Sequence, residues 1–205
     1  MTEDPFTHDI GRVAEGLKEG GVAIVPTDTV YGVAASLDRP EAIGRIFDLK
    51  GRPADRPIPI LVSGRDAINK YGTEISERTI RLIEEFWPGA LTVIVPATPA
   101  VPEACLAGGN TVGLRMPDHP ELLALISRCG GALAVTSANK SGDPEITTAR
   151  EAYESLRELA DIVLDTGPTP GRKPSTVVNA NVDPPRIIRD AGIPESRIFD
   201  ALRTD

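Results

Sequence analysis

Three short clusters of polar and charged residues are the candidates for chemistry in this sequence. The first is Lys50-Gly51-Arg52-Pro53, followed closely by Arg56 and preceded by Arg45. One ammonium and two guanidinium groups in so short a span could bind several phosphate oxygens of one nucleotide through charge-assisted hydrogen bonds. A structural explanation competes with this one, because a lysine in the last turn of a helix offsets the helix dipole and a glycine commonly ends the helix.

The other two clusters each follow an apolar run. They are Thr136-Ser137-Ala138-Asn139-Lys140-Ser141-Gly142 and Pro26-Thr27-Asp28-Thr29-Val30-Tyr31-Gly32. Small hydroxyl and amide side chains can bind a polar ligand with little steric bulk, but the same residues also form local turns. The glycine-rich phosphate loops G-x-G-x-x-G and G-x-x-x-x-G-K-[ST] are absent from the sequence. A nucleotide would therefore have to bind in a different way.

Composition and charge exclude several classes of protein. The 205 residues carry 22 basic and 30 acidic side chains, for a net charge of −8, which disfavours a protein that coats nucleic acid. The two cysteines and two histidines do not stand at metal-ligand spacing, which disfavours a zinc site and a Cys–His nucleophile pair. No apolar run is long enough for a membrane helix, and the first ten residues are acidic and polar. We expect a cytoplasmic protein that does not associate with membranes.

Hydrophobic periodicity predicts the elements that must position these clusters. Helices are predicted at 9–19, 40–50, 65–71, 76–87, 120–128, from 148 to about 160, and near the C-terminus. Strands are predicted at 22–25, just after 32, and at 58–62, 91–95, 111–116, 132–135, 162–165, 176–179 and 186–189. Residues 96–110 show little periodicity and form either a lid or a long connection. We expect one α/β domain over residues 1–205, with a core at about 10–192 and a mixed sheet.

Taken together, the order of the polar clusters resembles one family. Five segments carry the resemblance: Pro26 to Gly32, Lys50-Gly51-Arg52-Pro53, Arg115-Met116-Pro117, Ser137 to Gly142, and Ser175-Thr176-Val177-Val178. In this order they resemble the YrdC-like threonylcarbamoyl-AMP synthases over about residues 10–192. The pair of K-x-R and S-x-N signatures is far more specific than either cluster alone.

The resemblance implies a fold and a reaction. The implied fold is a twisted mixed β-sheet with flanking helices and a large concave cavity lined by positive charge. The implied reaction joins L-threonine, bicarbonate and ATP, with Mg²⁺ as cofactor, into threonylcarbamoyl-AMP and pyrophosphate for threonylcarbamoyladenosine modification of tRNA. The product would pass to a separate tRNA threonylcarbamoyl transferase complex. The length is similar to that of the family's single-domain form.

The same resemblance implies roles for individual residues. Lys50 and Arg52 match catalytic positions, and we expect both to be exposed in the cavity. The implied ATP contacts are Lys50, Arg52, Arg56, Thr111, Asn139, Thr147 and Arg189. The implied threonine contacts are Thr29, Arg115, Ser137 and Ser175, with Arg115 binding the carboxylate. No protein side chain is assigned to the metal.

The chain also departs from the family pattern, at residues 56–62 and at Pro174, where the family often has a glutamate. Two alternatives therefore stay open. One is a paralogue of the same fold that binds nucleotide or RNA without making threonylcarbamoyl-AMP. The other is a module that binds double-stranded RNA, although such a module needs a broad basic surface and the net charge is −8. We expect no stable binding of nucleic acid.

Overall fold

A computed structural model describes residues 4–156, 160–170 and 173–203 of the chain. The strands in these ranges are β1 (Phe6–Thr7), β2 (Ala23–Val25), β3 (Gly32–Ser36), β4 (Ile60–Val62), β5 (Leu91–Pro96), β6 (Thr111–Arg115), β7 (Ala132–Ser137), β8 (Ile162–Leu164), β9 (Thr176–Asn179) and β10 (Arg186–Arg189). The helices in the same ranges are α1 (Ile10–Lys18), α2 (Pro40–Lys50), α3 (Ala67–Tyr71), α4 (Glu77–Phe86), α5 (Glu103–Leu106), α6 (Pro120–Arg128), α7 (Ala149–Ser155) and α8 (Glu195–Leu202).

The strands form one mixed sheet in the order β1-β8-β2-β3-β7-β4-β6-β5-β9-β10. Parallel pairs join β1 to β8, β8 to β2, β4 to β6 and β5 to β9, and the remaining neighbours are antiparallel. The predicted α/β class with a mixed sheet and flanking helices is therefore confirmed.

Alternation along the strands divides the core between the two faces of the sheet, because successive side chains of a strand point to opposite faces. On β2, Ala23 and Val25 pack with Leu17 of α1 and Leu125 of α6. Ile24 belongs instead to the larger core on the other face. Helices α1 and α6 contact each other and the strands from β8 to β4, so they cover only part of their face.

Local signals explain where the helix next to the candidate site begins and ends. Pro40 stands in the first turn of α2, where its missing N–H costs nothing. Gly51 ends the helix with φ 56°, a left-handed conformation that glycine adopts without strain. The predicted bounds 40–50 are confirmed, and Lys50 is fixed as the last helical residue.

Several boundaries differ from the sequence-based prediction. Strand β7 runs to Ser137 rather than Val135, because Gly32 and Val33 of β3 pair with Ser137 and Thr136. Segment 96–110 contains the short helix α5, and the Cys105 carbonyl accepts a hydrogen bond from the Ile58 amide, as in a packed connection. Strand β1 was not predicted. The helix predicted from 148 to about 160 corresponds to α7, and residues 157–159 of the predicted range lie outside the described part of the chain.

No helix within the described ranges is long and apolar enough to cross a membrane.

Candidate functional site

A cleft of about 560 Å³ lies over the part of the sheet that α1 and α6 leave uncovered. Its floor consists of alternate residues of neighbouring strands, which share one face of the sheet. They are Thr92 and Ile94 of β5, Thr111, Gly113 and Arg115 of β6, and Ser175 and Val177 at β9. Gly113 packs closely against its neighbour on β5, since a Cβ at this position would lie 3.1 Å from Cγ2 of Thr92. A volume of this size suits a small-molecule ligand.

Backbone turns at the ends of β2 and β7 form one wall. After β2, the Thr27 hydroxyl accepts hydrogen bonds from the amides of Thr29 and Val30 at 3.0 and 3.1 Å, which closes a tight turn. The same hydroxyl donates to the Val30 carbonyl at 2.7 Å. The local turn expected as one explanation of this cluster is therefore present. The other explanation, binding of a polar ligand, stays open because Thr29 in the same turn lines the cleft.

Arg115 is the centre of what we call the arginine corner, formed by Asp28, Thr29, Gly89 and Arg115. The guanidinium donates to the Gly89 carbonyl at 3.0 Å, to the Thr29 hydroxyl at 3.2 Å and to the Asp28 carboxylate at 2.5 Å. Arg115 is 5% exposed. Burial lowers the pKa of Arg115, and Asp28 opposes that change. Since a guanidinium has five N–H groups, at most two remain for a ligand.

Ser175 and Arg189 extend this wall. The Ser175 hydroxyl lies 2.8 Å from the Thr92 hydroxyl and accepts a hydrogen bond of 3.1 Å from the Arg189 guanidinium. The Arg189 Nε donates to the Ser175 carbonyl at 2.9 Å. Burial lowers the pKa of Arg189, which places this positive charge in a partly dehydrated position. Each hydroxyl and guanidinium here is already oriented by a neighbour.

Lys50 defines a second part of the cleft, which we call the lysine corner and which contains Lys50, Asn139, Asp143 and Glu145. The Lys50 ammonium donates to the main-chain carbonyls of Ser137 and Asn139, both at 2.5 Å. The pKa of Lys50 is lowered to about 8 by burial and by the positive charge of Arg52, and Glu145 opposes the change. The expectation that Lys50 is exposed is wrong: the residue is 3% exposed, and its ammonium and carbonyl are hydrogen-bonded to the segment from Ser137 to Ser141.

Arg52 and Arg56 lie in the turn that follows α2. The Arg52 guanidinium donates to the carbonyls of Arg56 at 3.1 Å and Pro57 at 2.7 Å, so it stabilises its own loop. Burial and the nearby positive charges of Arg56 and Arg189 lower the pKa of Arg52. Such clustering of like charges costs free energy unless an anion binds between them. Arg52 is half-buried and lines the cleft, as does Arg56.

Two buried side-chain oxygens in the lysine corner have no hydrogen-bond partner, Oδ1 of Asn139 and Oε2 of Glu145. Both residues line the cleft. The Asn139 amide is held by its Nδ2, which donates to the Asp143 carbonyl at 2.5 Å. Within the described ranges no group of three or more His, Cys, Asp or Glu could hold a metal ion. A metal that relies mainly on protein ligands therefore does not fit, whereas Mg²⁺ held largely by phosphates fits the two free oxygens.

The structure brings all but one of the predicted site residues to the cleft. Lining residues from the prediction are Thr29, Lys50, Arg52, Arg56, Thr111, Arg115, Ser137, Asn139, Ser175 and Arg189. Thr147 is not among the lining residues. It lies before α7, where its carbonyl accepts a hydrogen bond of 2.9 Å from the Thr169 amide.

Sequence reasoning missed three residues of this site. Asp28 stands inside a quoted motif, but only the fold reveals its ion pair with Arg115. Thr92 shares the alternation of β5, a signal that could have identified it as a floor residue. Glu145 had no signal, because nothing in its neighbourhood in the sequence marks it as cleft-facing.

The residues around the cleft are suited to binding anions rather than to covalent catalysis. Six cationic side chains line it, namely Lys50, Arg52, Arg56, Arg115, Lys140 and Arg189, against the acids Asp55, Asp143 and Glu145. Neither a cysteine nor a histidine is among the lining residues. Buried Cys105 has its pKa raised to about 12 by burial, so it carries no thiolate at neutral pH.

The comparison with protein families decides the family. The model of the Sua5/YciO/YrdC family, described as "Telomere recombination", matches residues 15–191. The chain belongs to this family. A threonylcarbamoyl-AMP synthase of Bacillus subtilis is 37% identical over 97% of this chain and 58% of its own length. A putative threonylcarbamoyl-AMP synthase of Mycobacterium tuberculosis is 34% identical over 98% of this chain and 94% of its own length.

A solved structure of a relative supports the fold described above. The crystal structure of Pyrococcus abyssi Sua5 complexed with L-threonine is 35% identical and superposes with a TM-score of 0.90. The match covers 94% of this chain and 56% of that one. The chain thus spans less than two thirds of the length of the Bacillus and Pyrococcus relatives.

Proposed function

We propose that this chain is an L-threonylcarbamoyladenylate synthase, a nucleotidyltransferase that condenses L-threonine, bicarbonate and ATP. The observation that carries the proposal is the single cleft in which the residues of the K-x-R and S-x-N signatures meet Arg115, Ser175 and Arg189. The names of the Bacillus and Mycobacterium relatives support it, as does the Pyrococcus structure that holds L-threonine.

L-Threonine would bind in the arginine corner. The N–H groups that Arg115 has left would donate to the carboxylate, and the Asp28 ion pair fixes the plane of the guanidinium before the ligand arrives. Hydroxyl groups of Thr29, Ser137 and Ser175 line the same part of the cleft and would bind the polar groups of the amino acid. Such a preformed set of donors spends little entropy on binding.

ATP would bind among the other cationic residues of the cleft. Lys50, Arg52, Arg56 and Arg189 would neutralise phosphate oxygens, and Thr111 and Asn139 would contact other parts of the nucleotide. Mg²⁺ bound with ATP would supply further neutralisation of the phosphate charge. The charges of Arg56 and Arg189, which together with burial lower the pKa of Arg52, would be offset when the polyanion binds.

The reaction needs alignment and charge stabilisation more than a protein nucleophile. The threonine nitrogen forms a bond to the bicarbonate carbon, and one oxygen leaves as water. A carbamate oxygen then attacks the α-phosphorus, the bond from that phosphorus to the bridging oxygen breaks, and pyrophosphate leaves. Lys50 and Arg52 would stabilise the charge that builds up on the phosphate oxygens.

The experiment that tests the proposal is a rapidly quenched assay with ATP, Mg²⁺ and bicarbonate, with and without L-threonine. Mass spectrometry detects the adenylate and a coupled assay detects pyrophosphate. We expect both products only when threonine and bicarbonate are present. Folded protein that binds ATP yet forms neither product would instead be a paralogue that binds the nucleotide, and residues 56–62 would be the first to restore.

The wider role follows from the product. The labile adenylate would pass to a tRNA threonylcarbamoyl transferase complex, in the cytoplasm where tRNA and ATP are available. Because the proposed partners are small molecules, we propose no stable binding of nucleic acid. RNA binding that weakens with salt at physiological ionic strength would overturn that part of the proposal.

A further inference from the structure

The lysine corner contains an imbalance that binding of phosphate alone would not correct. Six cationic and three acidic residues line the cleft, yet Oδ1 of Asn139 and Oε2 of Glu145 are buried acceptors without a partner among the described residues. A buried polar atom that makes no hydrogen bond costs about 1–3 kcal/mol, and a charged one costs more. Phosphate oxygens are also acceptors, so they cannot satisfy these two atoms. The missing group must be a donor or a cation.

The orientation of Asn139 is fixed before any ligand binds. The residue is 5% exposed. Its Nδ2 donates to the Asp143 carbonyl at 2.5 Å, and its own main-chain carbonyl accepts from the Lys50 ammonium. The side-chain amide therefore cannot exchange its oxygen and nitrogen without losing a hydrogen bond. Oδ1 remains as an oriented acceptor, without a partner among the described residues, on a residue that lines the cleft.

Glu145 lies among positive charges without an ion pair in the described part of the chain. It raises the pKa values of Lys50 and Arg189, which places it within electrostatic reach of both. Yet Lys50 directs its ammonium at the carbonyls of Ser137 and Asn139, and Arg189 directs its guanidinium at Ser175. The carboxylate thus retains an oxygen for another cation.

We propose that Asn139 Oδ1 and Glu145 Oε2 are the protein ligands of the divalent cation that accompanies the nucleotide, an inference that rests on the proposed function. Mg²⁺ prefers oxygen ligands and is commonly bound by one or two protein oxygens together with substrate phosphates and water. Two buried hard oxygens of residues that line a mainly cationic cleft fit that pattern. The cation would bind weakly without nucleotide, because the surrounding positive charges repel it.

The test uses Mn²⁺ as the probe and the α,β-methylene analogue of ATP, which cannot release pyrophosphate. Electron paramagnetic resonance counts free Mn²⁺ in the complex of protein and analogue. We expect Glu145→Gln to weaken Mn²⁺ binding by at least about tenfold, a loss that even outer-shell partners of a metal cause. Glu154→Gln is the matched control, since it makes the same change from acid to amide at an exposed residue of α7 that does not line the cleft. It should change Mn²⁺ affinity by less than about threefold, because an exposed charge is well screened.

A second measurement is the affinity for the analogue in EDTA, where we expect Glu145→Gln to cause no loss. Without metal, Glu145→Gln should bind the analogue as tightly as the unchanged protein or more tightly, because it removes a negative charge from a site for a polyanion. A merely structural role for Glu145 predicts weaker binding in both conditions, and circular dichroism checks that the variant is folded.

The outcomes separate this inference from the proposed function. Equal loss of Mn²⁺ affinity in Glu145→Gln and Glu154→Gln would overturn the metal site and leave the synthase proposal intact. The same holds if Glu145→Gln changes only the affinity for threonine, which would make Glu145 a ligand of the ammonium group. If the unchanged protein fails to bind the analogue with or without Mn²⁺, the proposed function itself fails.

Discussion

The arginine corner and the lysine corner lie at one cleft but differ in how their polar groups are paired. In the arginine corner, Arg115 donates to a carbonyl, a hydroxyl and a carboxylate, so its charge is compensated within the protein. In the lysine corner, Asn139 and Glu145 each retain a buried oxygen without a partner. One corner is complete before a ligand arrives, and the other is completed only by the ligand.

This difference has a physical cause in the elements that carry the residues. Arg115 ends a strand in the middle of the sheet, with β4 and β5 on either side. Asn139 and Glu145 lie in the loop between β7 and α7, outside the hydrogen-bonded strands of the sheet. A rigid corner suits recognition of a small ligand of fixed shape, whereas a corner with free acceptors suits a ligand that brings its own cation.

The largest expected effect comes from breaking the ion pair of the arginine corner. Asp28→Asn leaves the Arg115 charge buried without its acidic partner, and the other charge that acts on it, Arg189, is also positive. Removing one partner of a buried pair typically costs about 3–5 kcal/mol of unfolding free energy. Urea denaturation measures this loss directly.

The matched control for Asp28→Asn is Glu85→Gln, the same change from acid to amide in an exposed ion pair. Glu85 and Arg197 have side chains that are 53% and 61% exposed. Such pairs contribute about 0–1 kcal/mol, so we expect the control to leave stability nearly unchanged. Equal effects of the two substitutions would show that the arginine corner is not the rigid region that the comparison requires.

The next effect is on catalysis. Arg52→Gln should lower turnover by about 100- to 1000-fold, as the loss of one donor to transition-state charge commonly does. It removes two hydrogen bonds in an open loop, so unfolding free energy should fall by no more than about 1–2 kcal/mol. Steady-state kinetics and urea denaturation measure the two quantities separately.

Arg45→Gln is the control for Arg52→Gln, because Arg45 forms a half-exposed ion pair with Asp161 and does not line the cleft. We expect its turnover to stay close to that of the unchanged protein. If Arg52→Gln also retained full turnover, phosphate binding by the loop after α2 would be excluded.

The sequence predicted a boundary correctly where the residues that determine it are neighbours in the chain. The bounds of α2 and α6 were predicted correctly, because proline in the first turn and glycine after the last mark both helices. The end of β7 was misplaced because Thr136 and Ser137 are polar, and only their pairing with β3 keeps them in the strand. Hydrophobic periodicity along one segment does not show which other strand that segment will pair with.

The site shows the same limit. The signature residues could be found from their order along the chain, and the structure places them around one cleft. The contact of Arg115 with Asp28 joins residues 87 positions apart, and the Lys50 ammonium bonds to carbonyls 87 and 89 positions away. Neither the ion pair nor the lowered pKa of Lys50 leaves a mark in the local sequence.

A smaller effect concerns pH in the lysine corner. The pKa of Lys50 is lowered to about 8, so its ammonium loses its proton as the pH rises through that value. If the charge binds phosphate, ATP affinity without threonine should fall by up to about tenfold for each pH unit above this pKa, as the charged fraction does. The free energy of unfolding should instead rise with pH in this range. The reason is that, between this pKa and that of an ordinary lysine, Lys50 binds more protons in the unfolded chain than in the folded one. Isothermal titration calorimetry across this pH range measures the affinity.

Two variants sharpen the interpretation of the pH effect. Lys50→Met should bind ATP more weakly and show no transition near pH 8, because the titrating group is gone. Glu145→Gln should move the transition to lower pH, because Glu145 raises the pKa of Lys50. A transition that stays in place in Lys50→Met belongs to another group and removes Lys50 from the phosphate site.

The smallest expected effect is at Ser175, where the wall beside the arginine corner depends on neutral groups. Ser175→Ala removes the hydroxyl that lies 2.8 Å from Thr92 and accepts from Arg189, while the Arg189 bond to the Ser175 carbonyl can remain. One such hydrogen bond contributes about 0.5–1.5 kcal/mol. A double-mutant cycle with Thr92→Val should give a coupling energy of that size for unfolding, because the two hydroxyls are direct partners. If Ser175 also contacts threonine, Ser175→Ala should raise the KM for threonine several-fold beyond the effect of Thr92→Val. Coupling near zero with an unchanged KM would mean that this wall, unlike the arginine corner, is not organised in advance for the amino acid.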